Sequence, residues 1–502
     1  MKYLSTRNKN SSVSGAEAVV KGIAADGGLF VPEYFPQITL PDLNTMVSQT
    51  YPERAAFILS KFFDEFTYAE LLEFAEAAYR KFDDDSVCPL VIIEDGPAIL
   101  ELTHGPTLAF KDMALSLMPY LLSASRKKLN ENEKTLILVA TSGDTGKAAL
   151  EGFKDAEGIE IIVFYPESGV SAMQKLQMTT AEGKNLAAAG IFGNFDDAQT
   201  AVKAIFADKE INARLLETGY KLSSANSINW GRLAPQIAYY FSAYADLLGA
   251  GEIAPGEKIN FAVPTGNFGN ILACYYARRM GLPVANIICA SNQNRVLADF
   301  FENGEYDVNR DFFKTMSPAM DILVSSNLER MLFELTGRDD QKIKGYAASL
   351  ASEGSYVVDT AIFNNLDFVA GWADEEDTRA LIEGFFEETE YVLDPHTAVA
   401  ASVYYDYAEA SGDDAKTVIV STANPYKFPS DVYFCLTGTR VEDEFKAAQR
   451  LQIFSGMDIP DSIKELKTKA VLHKNKYEPD RLGEAVFELL EKINEKSGSK
   501  AE

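Results

Sequence analysis

The sequence predicts an α/β fold organised on parallel sheet, with a helical region in front of it. Short apolar runs repeatedly enter a glycine-rich or polar turn and then, in several cases, a helical pattern. TLILVA (135–140) runs into TSGDTG and KAALEGF, and IEIIVFY (159–165) into PESGVS. KINFAV (258–263) runs into PTGNFGN and ILACYYARRMG, and KTVIVS (416–421) into TANPYKFP. Apolar runs of this length bounded by turns read as strands, and their alternation with helical patterns reads as a parallel sheet. This texture begins near Pro97. Before it, Ser48 to Phe82 carry apolar positions at helical spacing, broken by Pro52, which predicts a helical N-terminal region. With 502 residues and 47% hydrophobic content, the chain can bury a large core in more than one domain. The Lys/Glu-rich end from Glu465 contains GEAVFELLEKINEK, which predicts a closing helix with one apolar face and solvated charges.

Charge and composition narrow the function. Lys and Arg number 47 against 74 Asp and Glu, a formal charge of -27 that disfavours nucleic acid and anionic membrane as partners. A phosphorylated metabolite remains compatible, because a few oriented amides and one or two cations set the potential inside a cleft. Cys88, Cys274, Cys289 and Cys435 lie too far apart to suggest a disulfide framework or zinc knuckle, which fits a reducing compartment. The first residues lack a signal-type apolar core, and no segment reaches the roughly 18 apolar residues of a membrane span, so a cytoplasmic protein is expected. Histidine occurs only at 104, 396 and 473, without ligand spacing, so no metal site and no serine-hydrolase triad is expected.

Strand ends meeting glycine-rich loops place ligands at the carboxyl edge of an α/β sheet. HGPTLAFKD (104–112) sets Lys111 after apolar Leu108, Ala109 and Phe110 and before Asp112. An apolar setting penalises the ammonium form and leaves an amine able to attack an aldehyde, although from this segment alone a surface lysine opening a helix DMALSLMPYLL is the stronger reading. PTGNFGN (264–270) follows a strand and opens a helix, so its amides can converge on a phosphate at the positive end of the helix dipole; it lacks the dinucleotide glycine spacing. ATSGDTGKAAL (140–150) is a second such loop, suited to a carboxylate. Gly143 and Gly146 stand too close for a nucleotide P-loop, and Ala148 takes the place of the magnesium-binding hydroxyl. SSANSINWGR (223–232), DPHTAVA (394–400) and STANPYKFP (421–429) are polar clusters. Within the first, Arg232 offers a fork for phosphate or carboxylate, or equally one half of a structural ion pair.

Taken together and in order, these segments resemble threonine synthase in its longer form. YLSTR (3–7), GIAADGGLFVP (22–32), GIFGNFDDAQ (190–199) and NSINWGRLAPQIAYYF (226–241) extend the resemblance over nearly the whole chain. It implies a pyridoxal-phosphate enzyme of fold type II, similar to the tryptophan synthase β chain: two open twisted α/β domains plus a mainly helical N-terminal region. The implied boundaries are 1–97 for that region, 98–134 with 222–502 for a large cofactor-binding domain, and 135–221 for a smaller domain with the substrate loop.

The implied activity is that of a carbon-oxygen lyase converting O-phospho-L-homoserine and water to L-threonine and phosphate. Protons must leave both the α- and β-carbons before the γ-phosphate departs, and the cofactor supplies the electron sink. Lys111 is implied to hold pyridoxal 5'-phosphate and then to move protons. Gly266, Asn267, Phe268, Gly269 and Asn270 are implied to cradle its phosphate, and Thr422 to face its pyridine nitrogen. Thr141, Ser142, Gly143, Asp144, Thr145 and Gly146 are implied around the substrate carboxylate or the cofactor's 3-oxygen, with Asp144 alternatively organising the loop. Asn226 and Arg232 are implied at the substrate phosphate. Asn424 stands where the long-form pattern carries histidine, which weakens a catalytic role there; His396 lies in a matching motif without a role of its own. A monomer or homodimer acting on a small molecule is expected. The alternatives are a related phospho-lyase releasing a 2-keto acid and a non-catalytic ligand-binding relative, the latter opposed by an intact Lys111.

Overall fold

In the computed structural model, which describes residues 1–141, 143–168, 170–364 and 366–498, two separate sheets frame a cleft. The six-stranded sheet runs Phe368–Trp372, Val284–Ser291, Ile259–Pro264, Thr417–Ser421, Ala98–Glu101 and Leu90–Ile92. Its first five strands are mutually parallel and the last is antiparallel. The five-stranded sheet is parallel throughout, in the order Lys476–Tyr477, Leu186–Ile191, Ile159–Pro166, Lys134–Ala140 and Tyr220–Ser223.

The continuous apolar runs are strands covered on both faces: every residue of Ile159–Pro166 and of Ile259–Pro264 is buried. Helix Trp230–Ala250 runs through the interior, buried along almost its whole length, and ends on Gly251 in the left-handed conformation. It carries Arg232 in its first turn and packs against the N-terminal helix Tyr51–Ser60 through Arg54, whose guanidinium donates to Ser242 Oγ at 2.7 Å and pairs with Asp246 at 2.6 Å.

Three expectations need correction, and one, the mainly helical N-terminal region, needs an addition. Pro52 does not break a helix; it sits in the first turn of Tyr51–Ser60, where its missing N–H costs nothing, and the interruption before Tyr68–Tyr79 falls at 61–67. The stretch after Lys111 is two helices, Lys111–Leu115 and Met118–Lys128, the second opening with Pro119. The N-terminal region holds helices but also an antiparallel sheet of Asn8–Ser14, Lys2–Ser5 and Phe30–Pro32. Finally, 222–502 does not stay with the larger sheet. Lys476–Tyr477 pairs with Leu186–Ile191, and helix Leu482–Gly498 buries Leu482, Ala485, Val486, Leu489, Leu490 and Ile493 on the smaller sheet. An apolar helix face needs a surface to cover, and the outer side of the five-stranded sheet supplies it.

Candidate active site

The site is assembled where loops from both sheets meet. Lys111 opens helix Lys111–Leu115, and the turn before it is fixed by Asp112, which accepts the Thr107 N–H at 2.7 Å and the Thr107 hydroxyl at 2.6 Å. Gly105 allows this close approach: a Cβ there would lie 2.3 Å from the Asp112 Cβ. The turn is stitched to the loop after strand Thr417–Ser421, with Phe110 N–H donating to Thr422 O at 2.9 Å and Asn424 N–H to Leu108 O at 2.9 Å. From that loop Lys427 reaches back, its ammonium donating to Thr107 O at 2.7 Å.

Across the cleft, Asp144 opens helix Asp144–Gly152 of the five-stranded unit and meets both lysines. Its carboxylate lies 3.1 Å from Lys427 Nζ and 3.8 Å from Lys111 Nζ, and accepts Gln174 Nε2 at 3.2 Å. Burial opposes charge on Asp144, but Lys427 and Lys111 outweigh it and hold the carboxyl well below the usual carboxylate range. Burial also pushes the Lys111 amine down; Asp144 opposes this, while Arg232 and Lys427 add to it. The Asp112 carboxyl is pushed up to about 6 by burial, against its hydrogen bonds from Thr107.

Arg232 is 5% exposed, and burial lowers its guanidinium to about 10. It donates to Ala225 O at 2.9 Å and has no carboxylate partner among the described residues, which removes the structural ion-pair reading. A buried fork whose charge reaches Lys111 has the chemistry to bind a phosphate or carboxylate.

The glycine turn fits a phosphate. Phe268 adopts the left-handed conformation at φ +62° and starts helix Gly269–Arg279, which carries no side-chain cap and so leaves its first amides for a ligand. Gly266 packs against the 317–327 segment: an added Cβ would meet Ala319 O at 2.9 Å, and Ser325 Oγ donates to Gly266 O at 2.7 Å. The exposed Asn267 gives its carbonyl to Asn327 N–H at 3.2 Å. Asn270 is the most telling residue. Its Oδ1 accepts the hydroxyls of Tyr239 and Tyr240, while its buried Nδ2 has no partner among the described residues. A buried donor left over in an otherwise satisfied turn calls for an acceptor, and a cofactor phosphate is one.

The remaining sequence candidates divide. Thr141 organises its loop by accepting the N–H groups of Gly143 at 3.0 Å and Gly146 at 2.9 Å; Thr145 is half-buried on the first helical turn, and Ser142 lies outside the described residues. Gly143, at φ +147°, faces Gln174, whose carbon Cδ a Cβ would meet at 2.6 Å. Thr422 is buried, its backbone N–H donates to Thr397 Oγ1 at 3.4 Å, and its hydroxyl makes no hydrogen bond among the described residues. Asn226 is exposed at the rim, while Asn229 beside it is consumed by Val19 O and Ser224 O, each at 3.0 Å. Asn424 caps its own turn by accepting Tyr426 N–H at 3.0 Å. His396 holds Asp394 through Nδ1 at 2.8 Å and accepts Ala319 N–H on Nε2 at 3.1 Å, so it fastens the segment over the glycine turn. Lys427 was absent from the sequence candidates. Its only sequence signal was a lysine among apolar neighbours in STANPYKFP, the same signal that singled out Lys111.

Known proteins of one family are similar to this chain over most of its length. The family model described as threonine synthase N terminus matches residues 2–79, and that described as pyridoxal-phosphate dependent enzyme matches 99–423. A threonine synthase of Pseudomonas aeruginosa is 36% identical over 490 residues, covering 95% of this chain and 100% of that protein. Human threonine synthase-like 1 is 42% identical over 445 residues, covering 84% of this chain but 59% of the relative, so the chain spans less than two thirds of that protein's length. Among solved structures, yeast threonine synthase superposes with a TM-score of 0.88 at 33% identity, covering 99% of each chain. A pyridoxal-phosphate-bound threonine synthase from Brucella melitensis gives 0.85 at 35% identity, covering 97% of this chain and 98% of that one.

Proposed function

The chain belongs to the threonine synthase family of pyridoxal-phosphate-dependent enzymes, and from that premise we propose that it converts O-phospho-L-homoserine and water to L-threonine and phosphate. Its fold is the α/β fold type II, and its cofactor is pyridoxal phosphate. When bound, that group withdraws electrons from the α- and β-carbons of an amino-acid substrate. Lys111, with its amine biased toward the neutral form, is the residue to hold the cofactor covalently and afterwards to carry protons on Nζ. Asn270 Nδ2 and the first amides of helix Gly269–Arg279 would hold the cofactor phosphate, and the Thr422 hydroxyl would serve as a partner for its ring nitrogen. The loop 141–146 supplies helix-start amides for the substrate carboxylate.

The observation that carries the substrate class is Arg232, a buried guanidinium whose charge acts on Lys111 and which has no carboxylate partner among the described residues. The glycine turn already answers for one phosphate, so Arg232 answers for a second, with Asn226 at its rim. The reading includes a cytoplasmic enzyme, monomeric or homodimeric, acting on a free small molecule. No described helix is long and apolar enough to cross a membrane. Incubating the purified, cofactor-loaded protein with O-phosphohomoserine should release phosphate and L-threonine in equal amounts. A 2-keto acid in place of threonine would assign the phospho-lyase reaction, and no phosphate release would remove the catalytic reading.

A further inference from the structure

Lys427 stands at the centre of the site without a role in the reading above. Its side chain is 1% exposed, so its charge is held wholly inside the protein. A buried ammonium persists only when its partners are close, and it has two: Thr107 O at 2.7 Å, in the turn that sets Lys111, and Asp144 at 3.1 Å, from the opposite sheet. The same Asp144 stands 3.8 Å from Lys111 Nζ, beyond hydrogen-bond distance. One carboxylate thus serves two lysines unequally, and the nearer is not the cofactor lysine.

We propose that Lys427 is a positioning residue that occupies Asp144, so that Asp144 cannot close onto Lys111 and hold its amine as a tight ion pair. The inference rests on Lys111 being the cofactor lysine. The groups facing Asp144 are Lys427, Lys111 and Gln174, with His396 at longer range; those facing Lys111 are Asp144, Arg232, Lys427 and Asp112. Removing the Lys427 charge therefore does two things in one direction. It frees Asp144 to pair with Lys111 and takes away a neighbouring cation, and both favour the ammonium form of Lys111. Removing the Asp144 charge does the opposite, leaving Lys111 among Arg232 and Lys427 with its near anion gone.

The test uses apoenzyme and free pyridoxal phosphate, following the rate of covalent attachment by visible absorbance against pH, with borohydride trapping and peptide mapping of the modified lysine. In the wild type the rate rises with pH as the attacking amine loses its proton. Lys427→Met should move that midpoint up by roughly one to two pH units, so that attachment below the midpoint slows about tenfold or more. Asp144→Asn should move it down, and Lys427→Arg should stay near wild type. Should Lys427→Met fail to fold, Lys427→Gln replaces it, since an amide keeps a donor for Thr107 O while losing the charge. Opposite shifts in the two variants support the inference, because a role in folding alone would slow both without separating their midpoints. A midpoint unchanged in the neutral Lys427 variant, or shifts of the same sign, would overturn it. Trapped cofactor on a lysine other than 111 would instead overturn the reading on which it rests.

Discussion

At the scale of single residues, Arg232 is a buried cation of the site with no carboxylate partner among the described residues, and it is the group assigned to the substrate phosphate. Arg232→Lys keeps the charge but loses the planar fork, and Arg232→Ala loses both. A charge-assisted hydrogen bond contributes about 1.5–3 kcal/mol, so Arg232→Ala should lower kcat/KM for phosphohomoserine by roughly 10- to 150-fold, with Arg232→Lys milder. Cofactor affinity should stay at the wild-type value; cofactor loss in these variants would place Arg232 at the glycine turn. His104 gives a prediction in pH. Burial disfavours its charge, but Asp83 at 2.7 Å and Glu101 at 2.8 Å more than compensate and raise it to about 9. The folded value lies above the unfolded value of about 6.5, so the stabilisation is full below that pH and is lost as pH rises through about 9. His104→Gln should therefore lower the melting temperature clearly near pH 6 and hardly at all near pH 10. A deficit that is constant across that range would mean the two ion pairs do not stabilise the fold. Lys111 was legible in the sequence as a cation after an apolar run, and Arg232 as a planar fork within a polar cluster. The partnership of Asp144 with Lys427 was not, because nothing local to either residue records what lies across the cleft.

At the scale of elements, the glycine turn and its helix separate packing from binding. A Cβ at Gly266 would press on Ala319 O at 2.9 Å, so Gly266→Ala should destabilise the apoprotein as well as weaken cofactor binding. A Cβ at Gly269 meets nothing nearer than Asn327 Nδ2 at 3.6 Å, so Gly269→Ala is neutral for the apoprotein's packing. Asn270→Asp is the sharper probe. It keeps an acceptor for the Tyr239 and Tyr240 hydroxyls, exchanges the unpartnered donor for a negative oxygen, and should raise the cofactor dissociation constant at least about tenfold. Equilibrium titration of the apoprotein checks it, and an unchanged constant would move the phosphate away from this turn. Two strands of each sheet were legible because runs such as IEIIVFY are largely apolar without alternation, as burial on both faces requires. The N-terminal strands were not, since NKNSSVS is polar and mostly exposed and pairs through its backbone.

At the scale of the whole molecule, the chain stays packed on the six-stranded unit through Leu466 and ends on the other one. The closing helix was predicted from its apolar face, but the surface that face covers lies on strands hundreds of residues earlier, and periodicity carries no address. Leu489, Leu490 and Ile493 are buried against the group that includes Leu136, Leu138 and Ile162. Truncating a buried leucine costs about 2–5 kcal/mol, and here the loss falls on one sheet. Leu490→Ala should therefore speed amide hydrogen exchange in Lys134–Ala140 and Ile159–Pro166 while leaving Ile259–Pro264 and Thr417–Ser421 protected as before. Because Asp144 begins the helix that follows Lys134–Ala140, the same variant should raise KM for substrate more than it lowers cofactor affinity, which depends on the unaffected sheet. Equal loss of protection in both sheets would mean that the two units unfold as one, and the C-terminal helix would then support the molecule as a whole and not the substrate loop's half of it.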